Sequence, residues 1–364
     1  SRSGSSNTNP CFAGNPGITV SSMGCSLLVP YQYVFYVRIK KNGSYKVFSP
    51  FYVPTLDNYT RYECHVGMGY TRIISEFYGV RTECTIFVPI EEQVEIRDIR
   101  VTNISNEEME IDVIPVLEYT HFDAVKQFTN ADWVPQTMQS RCTTDSKGLR
   151  VLIQYPFMMR DIKVNYFTSN YPASSFETDR KNFLGDNEYG TWMRPLSLQN
   201  DELSNYEAHR GDNIAALLHH LGTMKPGDQK RIITQLGQKE SLQVALPEIE
   251  HFRKPEEVDA ALAKIGSYWQ TYLSRLQVKT PDSGLNSMIN VHNPRQCYMT
   301  YNWSRYLSYY QLGLGTRGLG FRDSSQDVMG VVDRVPEDAK NLLVKLLSVQ
   351  IQNGSAMHQF NPLS

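Results

Sequence analysis

The sequence lacks the features that mark several large classes of protein. It has no run of about 18 apolar residues, so no segment is expected to cross a bilayer. Its first 30 residues are rich in Ser, Asn and Gly, and no basic stretch leads into an apolar one, so no classical secretion signal is predicted. We therefore expect a cytoplasmic protein without membrane partners.

Cysteine is scarce, and charge of one sign does not dominate. The six cysteines form no C-x-x-C pair, which predicts reduced, mostly buried thiols and no metal site. The chain has 36 basic and 38 acidic residues and a formal net charge of -2, so no nucleic acid or other polyanion is implied as a partner.

Aromatic residues are the most informative part of the composition. Tyrosine occurs 22 times and phenylalanine 15 times, and many tyrosines stand beside Asn, Asp, Gln or Arg. Sugar sites use this mixture, because rings cover the apolar face of a pyranose while planar polar groups bind its hydroxyls. A β-rich chain has a similar composition, so both interpretations stay open.

Hydrophobic periodicity predicts a β domain over residues 31–250, after an irregular segment over 1–30. A hairpin turn is expected at Tyr78-Gly79, and further strands follow with little helical pattern between them. Many strands separated by turns favour two packed antiparallel sheets. Within residues 94–101 the apolar positions change phase, which predicts a β-bulge.

From Pro255 the apolar residues recur every three or four positions. We predict a helical linker over 251–283, with a helix that begins at Pro255 and continues until Pro281 ends it. Residues 284–364 then indicate the beginning of an all-α domain, with a break or kink at Pro294 and a helix C-cap at Asn353-Gly354.

The stretch "GLGTRGLGFRDSSQD" over 313–327 has the G-x-G-x-x-G spacing of a dinucleotide site. A helical pattern precedes it where such a site needs a strand, and no phosphate-loop lysine is present, so nucleotide binding is not expected. Its charged residues admit two interpretations: an internal network that pins a loop, or a polar pocket that grips vicinal hydroxyls. These residues are Arg317, Arg322, Asp323 and Asp327.

"NWSRYLSYYQLGLGTRGLGFRDSSQDVMGVV" and "GSAMHQFNPL" together resemble the start of the catalytic domain of glycoside hydrolase family 94, the inverting β-glucoside phosphorylases. "FETDRKNFLGDNEYGTW" is similar to a loop of the family's sandwich domain. The resemblance implies a β-supersandwich, a helical linker and an (α/α)6 barrel. It also implies a homodimer that acts on a β-glucoside or oligosaccharide with inorganic phosphate, without a metal or organic cofactor.

The resemblance also implies roles for individual residues. Arg305 is similar to the family's phosphate-side arginine, and Arg317 and Asp323 resemble the pair that binds the non-reducing-end sugar. The other motif residues, expected to line or support the pocket, are Arg322, Gln326, Asp327, His358 and Gln359.

No catalytic residue is expected within this chain, because the family's general acid is an aspartate on a later barrel loop, beyond Ser364. A phosphorylase needs that acid alone, since phosphate replaces the activated water of an inverting hydrolase. Two alternatives stay open: a non-catalytic carbohydrate-binding sandwich protein, and a hydrolase of a related α/α-barrel family, which would need a second carboxylate.

Overall fold

The structure is a computed structural model and describes residues 33–41, 43–119, 133–157, 164–185, 191–303 and 318–360. The chain divides into two compact units, Ser1–Ile265 and Gly266–Ser364. Each unit is described by itself below.

The first unit is a sandwich of two antiparallel sheets, as the strand pattern predicts. Its strands are β1 Tyr33–Lys41, β2 Ser44–Phe48, β3 Arg61–Val66, β4 Tyr70–Phe77, β5 Val80–Phe87, β6 Val94–Asn103, β7 Met109–Glu118, β8 Met138–Thr144, β9 Arg150–Pro156, β10 Val164–Ser169, β11 Ser175–Asp179, β12 Asn213–Met224 and β13 Gln229–Lys239. The five-stranded sheet has the order β11-β12-β7-β1-β2, and the eight-stranded sheet has the order β3-β4-β5-β6-β13-β10-β9-β8.

The predicted hairpin at Tyr78-Gly79 is confirmed and joins β4 to β5. Both residues have positive φ, 48° for Tyr78 and 76° for Gly79, as a tight turn between twisted strands requires. A Cβ on Gly79 would also lie 2.9 Å from the Cβ of Ser105, so glycine suits this position twice over.

Short helices and turns cover the outer faces of both sheets. Against the five-stranded sheet lie α1 (Arg180–Leu184) and a 3-10 turn (Leu196–Gln199). Apolar side chains of these two elements and of the residues next to them share a core with that sheet, and they are Phe183, Leu184, Trp192, Leu198 and Leu203. Against the eight-stranded sheet lie α2 (Leu242–His251) and the start of α3 (Pro255–Ser274).

The predicted bulge in β6 is wrong, because this strand pairs with both neighbours, β5 and β13, without a register shift. Ile99 belongs to the core between the sheets, whereas Ile96 points to the other face. Gln235, which pairs with Ile96, donates to the Ile249 carbonyl of α2 at 2.9 Å. Helices therefore bury the second face of the eight-stranded sheet. The apolar residues of β6 change from one face to the other although the strand itself is regular.

A buried ion pair on the outer face of the five-stranded sheet anchors the segment after α1. Arg38 Nε donates to Asp112 Oδ2 at 2.6 Å, and the guanidinium also donates to carbonyls of residues 198–201. His220 bridges Asp112 and Glu202, with contacts of 2.7 and 3.1 Å. Burial alone would lower the pKa of His220, but its hydrogen bonds to these two carboxylates raise it.

In the second unit the described residues are mainly helical. After α3 come α4 (Ser283–Ser287), a π-helical turn (Met288–His292), α5 (Asn293–Trp303), a two-residue strand β14 (Leu319–Gly320), α6 (Phe321–Met329), α7 (Pro336–Leu347) and a second short strand β15 (Gln359–Phe360). The π turn directly precedes Pro294 in the first turn of α5. Pro294 has no backbone N–H to donate, and its ring needs more space than a regular α-helical turn provides. The wider π turn accommodates both, so the helical path continues through the proline.

Two predicted helix ends are wrong. The helix from Pro255 ends at Ser274, well before Pro281, and α7 ends at Leu347, well before Asn353-Gly354. Gly354 has φ of 86° and lies in a turn, in which Ile351 N donates to the Ser355 carbonyl at 2.8 Å. Asn-Gly favours both a C-cap and a tight turn, and here the turn forms.

Candidate active site

The charged part of the glycine-rich stretch begins helix α6. Gly320 is its N-cap, in an extended conformation with φ of -76°, and Asp323 lies in the first turn. A carboxylate is favoured there because the first turn exposes backbone N–H groups and the positive end of the helix dipole. The helix start thus holds Arg322 and Asp323 at a defined place.

A close backbone crossing positions this helix start. Strand β14 pairs antiparallel with β15, and Phe321 N donates to the His358 carbonyl at 3.2 Å. A Cβ on Gly318 would lie 2.5 Å from the carbonyl oxygen of Phe360 and 2.7 Å from its carbonyl carbon. Only glycine fits this approach, because both atoms it would meet belong to the backbone.

A cavity of about 300 Å³ lies between the first turn of α6 and the 354–358 segment. Arg322, Asp323 and His358 line it, as does the main chain at Gly320. Its volume is at the lower end of the range for small-molecule sites. Among the described lining residues, Asp323 carries the only carboxylate.

Arg322 and Asp323 form an ion pair that is open to solvent. Arg322 Nε and Nη2 both lie 3.1 Å from Asp323 Oδ1, and the side chains are 80% and 36% exposed. A pair this exposed stabilises a fold by about 0–1 kcal/mol. The pair therefore contributes little to stability, and both of its residues line the cavity.

The other predicted site residues have varied positions. Asp327 lies one turn after Asp323 on the same side of α6, and Gln326 is exposed and does not line the cavity. Gln359 is exposed and pairs with Gly320 across the short strands. Arg305 and Arg317 lie outside the described residues, as does most of the helical pattern predicted between Trp303 and Leu314.

Sequence reasoning missed the wall of the cavity formed by Gly354, Ala356 and Met357. The Asn-Gly pair before it was a usable signal, since it indicates a turn as strongly as a C-cap. Ser324 was also missed: its Oγ is buried on α6 without a hydrogen-bond partner in the described part of the chain.

Within the described residues, no group of three or more His, Cys, Asp or Glu side chains could hold a metal ion. The described cysteines are all free thiols, and only Cys84 is fully buried; they are Cys64, Cys84, Cys142 and Cys297. The expectation that the thiols are mostly buried is therefore not met by these four. No helix in the described ranges has the length and apolarity to cross a membrane.

Comparisons with known proteins agree with this architecture. Residues 30–255 match the glycosyl hydrolase 94 supersandwich domain, and residues 268–364 match the catalytic domain of the glycosyl hydrolase 94 superfamily. The chain is 29% identical over 336 residues to an N,N'-diacetylchitobiose phosphorylase of Vibrio proteolyticus, covering 92% of this chain and 40% of that protein.

Two further relatives show the same pattern of coverage. An N,N'-diacetylchitobiose phosphorylase of Vibrio furnissii is 27% identical over 92% of this chain, and a solabiose phosphorylase of Paenibacillus borealis is 24% identical over 90%. The chain spans about 40% of the length of each of these relatives. Because the sandwich profile alone matches more than half of its residues, the chain belongs to glycoside hydrolase family 94.

Proposed function

We propose that the protein is an inverting glycoside phosphorylase, which converts a β-glucoside disaccharide or oligosaccharide and inorganic phosphate into α-glucose 1-phosphate and a shortened acceptor. The observation that carries the proposal is the exposed Arg322–Asp323 pair in a cavity whose described lining has one carboxylate. The family match and the phosphorylase names of the relatives support it.

The residue types suit this reaction. A phosphate oxygen bonds to the anomeric carbon with inversion while the glycosidic bond breaks, and the leaving oxygen keeps the electron pair and takes a proton from an acid. Phosphate is the nucleophile, so no second carboxylate is needed to activate water. We assign the general acid to an aspartate beyond Ser364.

In this assignment Asp323 and Arg322 hold the sugar that is transferred. The carboxylate accepts hydrogen bonds from vicinal hydroxyls, and the guanidinium donates to a neighbouring oxygen. Arg317 completes the grip on the sugar and Arg305 binds phosphate, both proposed from the motif in which they lie. His358 lines the same cavity and supports its wall.

The reaction is proposed to need no metal or organic cofactor, and the protein is proposed to be a cytoplasmic homodimer. The resemblance of the motifs to family 94 supports these statements. Activity that survives exhaustive chelation, and a molar mass from light scattering equal to two chains, are the expected results.

The proposal is tested by substitution in the full protein. Release of sugar 1-phosphate is measured with inorganic phosphate and either cellobiose, which gives glucose 1-phosphate, or N,N'-diacetylchitobiose, which gives N-acetylglucosamine 1-phosphate. Asp323→Asn removes the charge-assisted hydrogen bonds to the sugar hydroxyls and is expected to lower kcat/KM by about 100-fold. Met329→Ala, on the same helix, 76% exposed and outside the cavity, is the control and is expected to change kcat/KM by less than about threefold.

The alternatives give different results in the same assay. Sugar release that proceeds without phosphate would indicate a hydrolase. Sugar binding that is unaffected by Asp323→Asn, with no sugar 1-phosphate formed from either substrate, would indicate a non-catalytic carbohydrate-binding protein. Either result would overturn the proposed function.

A further inference from the structure

The sandwich contains a second, larger cavity of about 660 Å³ that the proposed reaction does not use. It lies where the two sheets end side by side, because β8 is an edge strand of the eight-stranded sheet and β11 is an edge strand of the five-stranded sheet. The segment over 205–209 runs along both edges and forms one wall. We call this cavity the edge groove.

Main-chain and side-chain hydrogen bonds hold that segment to both sheets. Ser140 N of β8 donates to the Ala208 carbonyl at 2.8 Å. On the other side, Asn205 N donates to the Phe176 carbonyl at 2.9 Å, and Phe176 N donates to Asn205 Oδ1 at 3.2 Å. The groove is therefore preformed, which lowers the entropy cost of binding a ligand.

The backbone of Asn205 is itself unusual, with φ of 57° in the left-handed region. Asparagine tolerates this conformation better than most residues, but it still carries strain that surrounding contacts must offset. The next residue, Tyr206, is 44% exposed and lines the groove. The left-handed residue is thus followed directly by an aromatic side chain that lines the groove.

Two rings and a carboxylate dominate the accessible lining. The rings of Tyr206 and His209 meet edge to face at 6.5 Å between centroids. Neither side chain has a hydrogen-bond partner among the residues that the structure describes. Glu207 Oε1 accepts from Cys142 N at 2.8 Å, and no described residue donates to its other oxygen. Ring faces and unsatisfied acceptors are therefore available together.

The cation in the groove is already engaged. Arg150 Nε and Nη2 donate to the carbonyls of Ala173 and Ser174 at 3.0 and 2.9 Å, and the guanidinium lies 5.2 Å from the ring centroid of Phe176. Glu207 supplies the opposite charge nearby. Among the lining residues that the structure describes, no guanidinium or ammonium group is left unengaged to bind phosphate, and Arg150 and Glu207 carry one charge of each sign.

We propose that the edge groove binds a neutral saccharide, separately from the cavity at α6. A site for a neutral sugar differs from a site for an anion in three features. It has an aromatic ring for the apolar face of the sugar, planar polar groups for the hydroxyls, and no excess of charge. Its volume lies within the range for small-molecule sites and exceeds that of the α6 cavity. An oligosaccharide is the occupant that fits an open groove along two strand edges.

The test is titration of the full protein with cellotetraose, followed by calorimetry and by saturation-transfer NMR. An Asp323→Asn background weakens sugar binding at the α6 cavity, so the remaining binding reports the edge groove. Tyr206→Ala in this background is expected to weaken binding at least about fivefold, and Tyr206→Phe is expected to retain it, because the ring supplies the contact. The contacts of Tyr206 with β11 are made by its main chain, so these variants keep them.

Tyr62→Ala is the matched control. Tyr62 is 41% exposed on β3, at the opposite edge of the same eight-stranded sheet, and its loss is expected to leave binding unchanged. His209→Ala is a second variant of the groove and is expected to weaken binding in the same direction. Inorganic phosphate alone is expected not to compete with cellotetraose in the Asp323→Asn background.

Three results would overturn the proposal: no binding of cellotetraose up to about 20 mM, equal affinity in the Tyr206→Ala and Tyr62→Ala proteins, or displacement of the sugar by phosphate. The outcome is distinguishable from that of the proposed function. If the edge groove does not bind sugar, phosphorolysis and its dependence on Asp323 are still expected. If phosphorolysis is not observed, the weaker cellotetraose binding of the Tyr206→Ala protein is still expected.

Discussion

The crossing of Gly318 over β15 allows a sharp test of how the glycine-rich stretch supports the cavity. In Gly318→Ala the new Cβ would lie 2.5 Å from the Phe360 oxygen, 2.7 Å from its carbonyl carbon and 2.8 Å from its nitrogen. Ordinary contacts between such atoms need about 3.5 Å, so the two short strands must separate by nearly 1 Å. Overpacking of this kind destabilises by about 1–3 kcal/mol.

The displacement reaches the site directly, since Phe321 N is hydrogen-bonded to the His358 carbonyl and Asp323 follows within the same turn. A shift of about 1 Å in groups that position a substrate can lower kcat/KM about 100-fold. The assays are thermal unfolding, hydrogen exchange at the β14–β15 amides, and glucose 1-phosphate release by the full protein.

Gly320→Ala is the matched control, two residues further along the chain and within β14. Its Cβ would meet nothing closer than 3.6 Å, and its φ of -76° is open to alanine, so we expect a change in stability below about 1 kcal/mol. Equal melting temperatures and equal exchange rates in the two variants would refute the reasoning that the backbone crossing requires glycine at 318.

Two further predictions concern the sandwich. His220, whose pKa is raised by its bonds to Asp112 and Glu202, contributes stability that is fully present below its unfolded pKa of about 6.5 and is lost as pH rises through the higher folded pKa. The melting-temperature gap between the native protein and His220→Gln should therefore be widest below about pH 6.5 and should narrow as pH rises above that value, and a gap independent of pH would contradict this. In Gly237→Ala the new Cβ would lie 2.2 Å from the ring of Tyr166, so urea unfolding should show a loss of about 1–3 kcal/mol. An unchanged urea midpoint would mean that the ring moves aside freely.

Much of the fold could be predicted because local patterns report it faithfully. The turn at Tyr78-Gly79, the helix start at Pro255 and the strand-rich first domain all follow from backbone preferences and side-chain period. The predicted bulge failed for a different reason. The alternation of apolar residues along a strand shows that a face of the strand is buried, but not which element buries it. The helices that cover β6 come about 140 residues later in the chain.

The candidate site was partly visible for a similar reason. Charges crowded beside glycines at Arg322 and Asp323 admit a pocket as one of two interpretations, and both residues line one cavity in the structure. The opposite wall was missed because Asn353-Gly354 was interpreted as a helix end. The Asn-Gly pair lies instead in a turn that the bridge between Gln350 and Ala356 closes, and the residues after this turn pair with β14, more than 30 residues earlier in the chain.

The sequence by itself determined the order of β and α regions, the membership in family 94 and the residue types that suit a sugar site. Local propensity and motif spacing carry this information, since they depend on neighbours within a few positions. Tertiary structure alone decided which faces of β6 are covered, why Gly318 must be glycine, and that Tyr206 and Arg150 share a groove at the sheet edges. These features are contacts between distant segments, and their geometry exists only after the chain has packed.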